Sequence, residues 1–447
     1  MSLHNSTRTI SVPRSEPKTN TRFTESERLF AWASTLVPTA SQTFSKSRIQ
    51  FPGEVTPDFL SHGKGGRVWD VDGNEYVDMV MGLLANVLGY CDPDVDAAIR
   101  DQLERGISFS LATRLEGEVA ERLVDIIPCA EMVRFGKNGT DGTSAAVRIS
   151  RAATGRNHVI ALGYHGWQDW YVGATIRNKG VPAQIQGLTH KVAYNDLPEL
   201  EQTVAAVDDD VACIILEPMS SVEPAPGYLE ALRDLATRTG TVLVFDETVT
   251  GFRFALGGAQ SYFGVTPDLC VLGKGMANGM PLSAIVGRTD LMREFEEVFF
   301  SGTFGGEALS LAAAKAVIDK FQREPVIDEL WRKGAFLKQA LTRIIDENHL
   351  TGAISLAGKE PWLVPVFSAV DEANMEEVKT FMVKSMVESG VLFGSSLNLC
   401  YAHSETDLQQ VIGAFQKAVS ALREEVQKPG LAKRLNCDLI RPVFSVR

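Results

Sequence analysis

The chain has 447 residues, 44 Lys+Arg against 56 Asp+Glu for a formal charge of −12, and 45% apolar residues. This is globular composition with enough chain for a large core, and at roughly 150 residues per domain it fits about three domains, or one large domain with a smaller companion. The acidic balance argues against nucleic acid as a main partner, no apolar run approaches the roughly 20 residues of a membrane span, and the six scattered cysteines form no CxxC pair or Cys/His cluster suited to zinc.

Residues 1–22 are polar and lack the apolar stretch of a signal peptide, so a loosely packed arm is expected there. Thr24-Glu25-Ser26-Glu27 opens a helix running to about Leu36, ahead of Pro38. Arg67–Asp70 and Tyr76–Met79 read as strands around a turn at Asp72-Gly73, followed by helices over Pro93–Glu104 and Glu116–Ile127. Val133–Phe135 is a short strand, followed by the glycine-rich segment Gly136–Gly142 and a helix from Thr143 to Ala153. Apolar strands follow at Val159–Leu162, Val211–Leu216, Val242–Phe245 and Leu269–Leu272, with a helix over Leu229–Thr239. Strands alternating with helices predict a largely parallel sheet covered on both faces, with functional groups just past the strands' C-terminal ends. Glu217, Asp246 and Lys274 hold that position.

From about Glu324 onward helices dominate, at Val326–Asn348 and Met375–Ser389, with short strands near Leu363–Val366 and Leu397–Cys400. The chain thus divides into an arm (1–22), an N-terminal part of a small lobe (23–90), a large domain (91–324) and a C-terminal small domain (325–447). Cys91, Cys129, Cys213, Cys270, Cys400 and Cys437 read as reduced, mostly buried residues of a cytoplasmic protein, with no metal site.

Three segments carry chemistry. Gly139-Thr140-Asp141-Gly142 is a strand-to-helix turn whose glycines allow close backbone approach and whose helix N-terminus offers free N–H groups to an anion. By itself it is either a phosphate cradle or an ordinary turn with Asp141 as a helix cap. Asp246 ends an apolar strand, where a carboxylate needs a cation or strong donors; Arg253, a cap for the next helix, or a ligand cation would each serve. Lys274 lies between Gly273 and Gly275 after another apolar strand, either in an exposed turn or as a buried amine with a lowered pKa. Together, in this order, they match what pyridoxal phosphate requires: an anchor for the phosphate, a carboxylate for the pyridine nitrogen and a lysine for the aldehyde.

The stretches FGKNGTDGTSAAVRISRAATGR, GYHGWQDW, ACIILEPM, TVLVFDETVTGFRFALGGAQSYFGVTPDLCVLGKGMANGMPLSAIVGR and FFSGTFGGEALSLAAA resemble the class III, fold type I, pyridoxal-phosphate aminotransferases, and most of all their glutamate-1-semialdehyde aminomutase branch. WDVDGNEYVDM and YAHSETDL also fit, so the resemblance runs from about Gly63 to Leu408. It implies an α/β fold with a mostly parallel seven-stranded sheet in the large domain and a smaller α/β domain. It implies Lys274 as Schiff-base lysine and proton shuttle, Asp246 at the pyridine nitrogen, Gly139 and Thr140 at the phosphate, Tyr164 stacked on the ring, and Glu217 nearby. Thr303 is the position from which a partner subunit contacts the phosphate, which implies a homodimer with shared active sites. Three positions depart from the family pattern: Asn138–Gly142 differs from the usual Ser-Gly-Thr-Glu-Ala, Thr248 replaces a valine that packs on the ring, and Glu307 replaces an asparagine.

The segment after Tyr164-His165-Gly166 lacks the long glycine/serine-rich flap by which the aminomutase branch retains its intermediate. A site that releases its keto product favours intermolecular amino transfer, from an amino acid such as glutamate to a small keto or aldehyde acceptor, sugars included. A 2,1-aminomutase is the alternative, and a non-catalytic cofactor-binding protein a more distant one. Trp167 and Trp170 either line the substrate pocket or brace the loop or dimer interface. His165 is expected as a hydrogen-bonded loop residue, since Lys274 already moves protons. Arg48 sits where the aminomutase branch keeps an arginine for the substrate carboxylate, though a surface role fits it equally.

Overall fold

The computed structural model describes residues 22–208, 210–394 and 396–441. The arm expected over residues 1–22 falls outside them except for Arg22. Fourteen strands are present among the described residues: β1 (Leu60–Lys64), β2 (Arg67–Asp70), β3 (Glu75–Asp78), β4 (Met132–Gly136), β5 (His158–Leu162), β6 (Thr189–Lys191), β7 (Val211–Leu216), β8 (Val242–Glu247), β9 (Leu269–Leu272), β10 (Ser283–Gly287), β11 (Ile354–Lys359), β12 (Trp362–Phe367), β13 (Val391–Leu392) and β14 (Leu397–Asn398). They form three sheets.

The central sheet has seven strands in the order β4-β10-β9-β8-β7-β5-β6. Only β10 runs against the others, antiparallel to both β4 and β9. β7, β8 and β9 are buried along their whole length because helices cover both faces, which is why they read as continuous apolar runs. The fold is therefore α/β with a mostly parallel seven-stranded sheet, as the resemblance implied. The register places Asp246 opposite Val271 and Glu247 opposite Leu272, so the end of β8 lies beside the turn that carries Lys274.

A four-stranded sheet, β1-β2-β3-β13, joins the N-terminal strands to the C-terminal part of the chain through a parallel pairing of Val77 with Val391. The third sheet has the order β11-β12-β14. The long helices Ala308–Arg323 and Glu405–Glu425 had not been singled out in the sequence, nor had β10.

Among the element boundaries that move from their expected places, two have a visible cause. The first helix stops at Ala33 rather than Leu36, because the Ser34 and Thr35 hydroxyls bond back to the carbonyls of Ala31 and Trp32. The helix expected from Thr143 begins at Gly139 and runs to Thr154. Asp141 explains the early start: its Oδ2 accepts the N–H groups of Lys137 (3.0 Å) and Asn138 (2.8 Å), and so folds the glycine-rich segment into the first helical turn.

Candidate active site

The C-terminal ends of β7, β8 and β9 converge on a cavity of about 230 Å³. Its floor carries Glu217, Asp246 and Lys274, and its rim is formed by the helix N-terminus at Asn138, Gly139 and Thr140 and by the loop from Tyr164 to Trp167.

Asp246 is buried, and its partner is not Arg253. His165 Nδ1 lies 2.8 Å from its Oδ2, while its Oδ1 accepts the Thr248 N–H at 3.1 Å and the Thr248 hydroxyl at 2.5 Å. Arg253 instead spends its donors on the carbonyls of Pro361, Leu399 and Leu84, and burial pulls its pKa down to about 10. His165 is the hydrogen-bonded residue expected, but its partner is the carboxylate that matters most. Its ring is fixed further by a contact of Nε2 with the Leu162 carbonyl at 3.2 Å and by the rings of Trp170 and Tyr171.

Lys274 opens a short 3-10 turn at φ +43°, a left-handed conformation that side chains with a Cβ avoid. Among the described residues its amine makes no hydrogen bond or ion pair. Burial lowers its pKa, partly opposed by Glu217 and Asp246, so the amine sheds its proton more readily than a surface lysine. Burial raises the pKa of Glu217, and the charge of Asp246 adds to the effect. Glu217 Oε2 accepts the Tyr164 N–H at 3.0 Å, which ties the aromatic loop to the end of β7.

Two glycines make the loop fit. Gly163 and Gly166 both adopt φ +105°, and a Cβ on Gly163 would lie 2.6 Å from Glu217 Oε2. A Cβ on Gly166 would overlap Thr140, so the loop closes directly onto the first turn of the helix.

The class-III aminotransferase family profile matches residues 51–419. The chain belongs to the class-III aminotransferases. The 3-aminobutyryl-CoA aminotransferase of Cloacimonas acidaminovorans is 34% identical to this aminotransferase over 418 residues, covering 90% of this chain and 98% of that protein. A glutamate-1-semialdehyde 2,1-aminomutase of Natranaerobius thermophilus is also 34% identical, over 428 residues, covering 89% and 99%. Among solved structures, the PLP-containing FumI protein of Sphingopyxis sp. matches with a TM-score of 0.84 at 25% identity, covering 92% of this chain and 99% of that one.

The cofactor of this aminotransferase is pyridoxal phosphate. The cavity suits it on its own geometry: an amine without an ion-pair partner, a carboxylate held in place by donors, a helix N-terminus for an anion, and the ring of Tyr164 on one wall.

Of the residues singled out in the sequence, Gly139, Thr140, Tyr164, Trp167, Glu217, Asp246 and Lys274 line this one cavity. Trp170 does not; it is buried below the loop and donates its Nε1–H to Ser144 Oγ at 3.0 Å, the bracing role. Thr303 lies on an exposed turn away from the cavity lining. Glu307 is no pocket residue either: it caps the helix Ala308–Arg323 through the N–H groups of Leu309 and Ser310 and pairs with Lys137 at 3.0 Å. Arg48 is occupied by Asp58 and Glu27, each at 2.7 Å, with its guanidinium over the Phe30 ring at 3.5 Å. Two residues earlier, Lys46 has no ion pair among the described residues and lines a second cavity of about 310 Å³ with Phe51, Val80 and Tyr90 and with the carboxylates of Asp58 and Asp78. Gly82 on the wall of that cavity packs on Asn86, which in turn packs on Gly279, just beyond the Lys274 turn. The sequence places Lys46 two residues before Arg48, but nothing local to the chain tells which of the two cations is paired.

Proposed function

We propose that this protein moves an amino group between molecules, from an amino-acid donor such as glutamate to a small keto or aldehyde acceptor, using Lys274, Asp246 and the 139–140 helix N-terminus as its cofactor site. The single observation that carries this reading is the free, desolvated Lys274 amine sharing one cavity with the donor-held Asp246 carboxylate. When bound, pyridoxal phosphate supplies an aldehyde for the amine and a ring that accepts electrons from the substrate. Asp246 stabilises a proton on the ring nitrogen, His165 and Thr248 hold Asp246 in register, and Gly139 and Thr140 bind the phosphate. Tyr164 would stack on the ring, Glu217 holds the Tyr164 loop, and Lys274, neutral more readily than a surface lysine, would take the proton from the substrate's amine-bearing carbon and return it at the cofactor's aldehyde carbon.

The loop after Gly166 supports intermolecular transfer over isomerisation. It is braced by Trp170–Ser144, by Tyr171 Oη donating to the Gly163 carbonyl at 2.7 Å, and by Asn178–Gln186 at 3.2 Å. Bracing of this kind favours a wall over a flap that would retain an intermediate. The name of the Cloacimonas relative, a transaminase, agrees with this; the Natranaerobius relative keeps the 2,1-aminomutase reading in play. Trp167, two-thirds exposed at the rim, offers an aromatic face to the acceptor, sugars included. Lys46, which has no ion pair among the described residues although its charge reaches the buried Asp78, takes the place of Arg48 as the cation for a substrate carboxylate.

We read the active assembly as a homodimer with shared sites, Thr303 serving the partner's phosphate. Support comes from exposed apolar side chains around that turn, Phe299 at 82% and Phe304 at 58% exposure, and from Leu111 at 84%. The deciding experiment loads the protein with pyridoxamine phosphate and supplies candidate acceptors without any amino donor. One turnover followed by arrest is the expected result. Sustained isomerisation would establish the aminomutase, and a cofactor absorbance inert to every amine and carbonyl would establish a non-catalytic binder.

A further inference from the structure

Asp246 presents its two oxygens unequally. Oδ1 accepts two hydrogen bonds, both from Thr248, through the backbone N–H at 3.1 Å and the hydroxyl at 2.5 Å. Oδ2 takes one partner, His165 Nδ1 at 2.8 Å. A carboxylate oxygen has two good acceptor directions, so Oδ1 is filled and Oδ2 keeps one open.

The backbone bond would survive any residue at position 248 except proline, but the hydroxyl bond needs Thr or Ser. The Thr248 methyl is wedged between two glycines: a Cβ on Gly139 would lie 2.8 Å from Cγ2, and one on Gly273 would lie 3.2 Å from it. A β-branched side chain confined in this way has one usable rotamer, and in it the hydroxyl points at Asp246. Thr248 also lines the cavity itself, so it touches both the phosphate cradle and the turn that carries Lys274.

We propose that Thr248 is a positioning residue for the cofactor ring: its hydroxyl occupies Oδ1 of Asp246, so that the carboxylate plane is fixed and Oδ2 alone faces the ring nitrogen. The inference rests on the reading of Asp246 as the ring-nitrogen partner. It explains why a polar side chain is tolerated where the family pattern has a valine. The shape of valine is kept, and the one polar atom is matched to the second acceptor direction of Oδ1, which the backbone N–H leaves open.

The test measures binding to cofactor-free protein by equilibrium dialysis, with two probes: pyridoxal phosphate, and its 1-deaza analogue, in which C–H replaces the ring nitrogen. Wild type is expected to prefer the natural cofactor. Thr248→Val, which keeps the shape and loses the hydroxyl, is expected to lose about tenfold of that preference, the scale of one hydrogen bond to a charged group. Thr248→Ala, a second variant without the hydroxyl, should lose it too, and Thr248→Ser, which keeps the hydroxyl, should retain it. If Thr248→Val weakens both probes equally, or keeps the native preference, Thr248 acts by packing alone and the proposal is wrong. If wild type itself does not distinguish the probes, Asp246 is not the ring-nitrogen partner, and the premise fails separately from the role of Thr248.

Discussion

Lys274 sits at φ +43°, and that conformation can be measured apart from its chemistry. The left-handed region costs a residue with a Cβ about 1–2 kcal/mol and costs glycine almost nothing. Replacing Lys274 by alanine or by glycine removes the amine in both cases, but only glycine relieves the backbone. Glycine also gives back about 0.4–1 kcal/mol through its freer unfolded chain. The net expectation is that Lys274→Gly is more stable than Lys274→Ala by about 0.5–1 kcal/mol. Urea unfolding of the two cofactor-free variants, followed by tryptophan fluorescence, reads this as a shift of the midpoint at unchanged slope. The amine adds a pH-dependent part. Its folded pKa lies below the unfolded one, so the unfolded chain binds more protons and wild-type stability rises as pH approaches the ordinary lysine value of 10.5. The gain of Lys274→Ala over wild type should therefore be larger at pH 7 than at pH 10. Should the glycine variant prove no more stable than the alanine variant, the backbone at 274 is unstrained and the inference that local stability is given up for the position of the amine is wrong.

The other expectations follow from the same geometry. Glu217 has a folded pKa raised by burial, so wild type loses stability as pH rises from about 4.5 through that pKa; Glu217→Gln should therefore raise the melting temperature of cofactor-free protein more at pH 8 than at pH 5, and an equal effect at both would mean that Glu217 is not desolvated. His165→Phe removes one hydrogen bond to the Asp246 carboxylate and should weaken pyridoxal-phosphate binding about tenfold, measured by dialysis, with unchanged affinity counting against the Asp246 assignment. Arg48→Met leaves the Asp58 carboxylate, only 7% exposed, without its partner and should cost about 2 kcal/mol of stability with KM unaltered, whereas Lys46→Met should raise KM for a carboxylate substrate with little change in stability; the reverse pattern would return the substrate role to Arg48. Gly166→Ala forces a Cβ into Thr140 and should cut cofactor affinity at least as much as His165→Phe does, and an alanine variant with native affinity would show that the loop does not close on the helix.

What the sequence determined was the local chemistry. Val211–Leu216, Val242–Phe245 and Leu269–Leu272 are apolar without alternation because both faces of a parallel sheet are covered, and this alone placed Glu217, Asp246 and Lys274 at one edge. Tertiary structure decided the pairings, since a charged side chain selects its partner by distance in space and not along the chain. His165 reaches Asp246 across 81 residues, and Arg253, seven residues from Asp246, turns away to carbonyls as distant as Leu84. Arg48 and Lys46 look alike in sequence; only the folded position of Asp58 and Glu27 spends one charge and spares the other. Strand β10 was hidden for a similar reason, because it is held between β4 and β9, whose residues lie far from it in the chain, whereas the helix start at Gly139 rests on a local cap by Asp141 that the glycines around it masked.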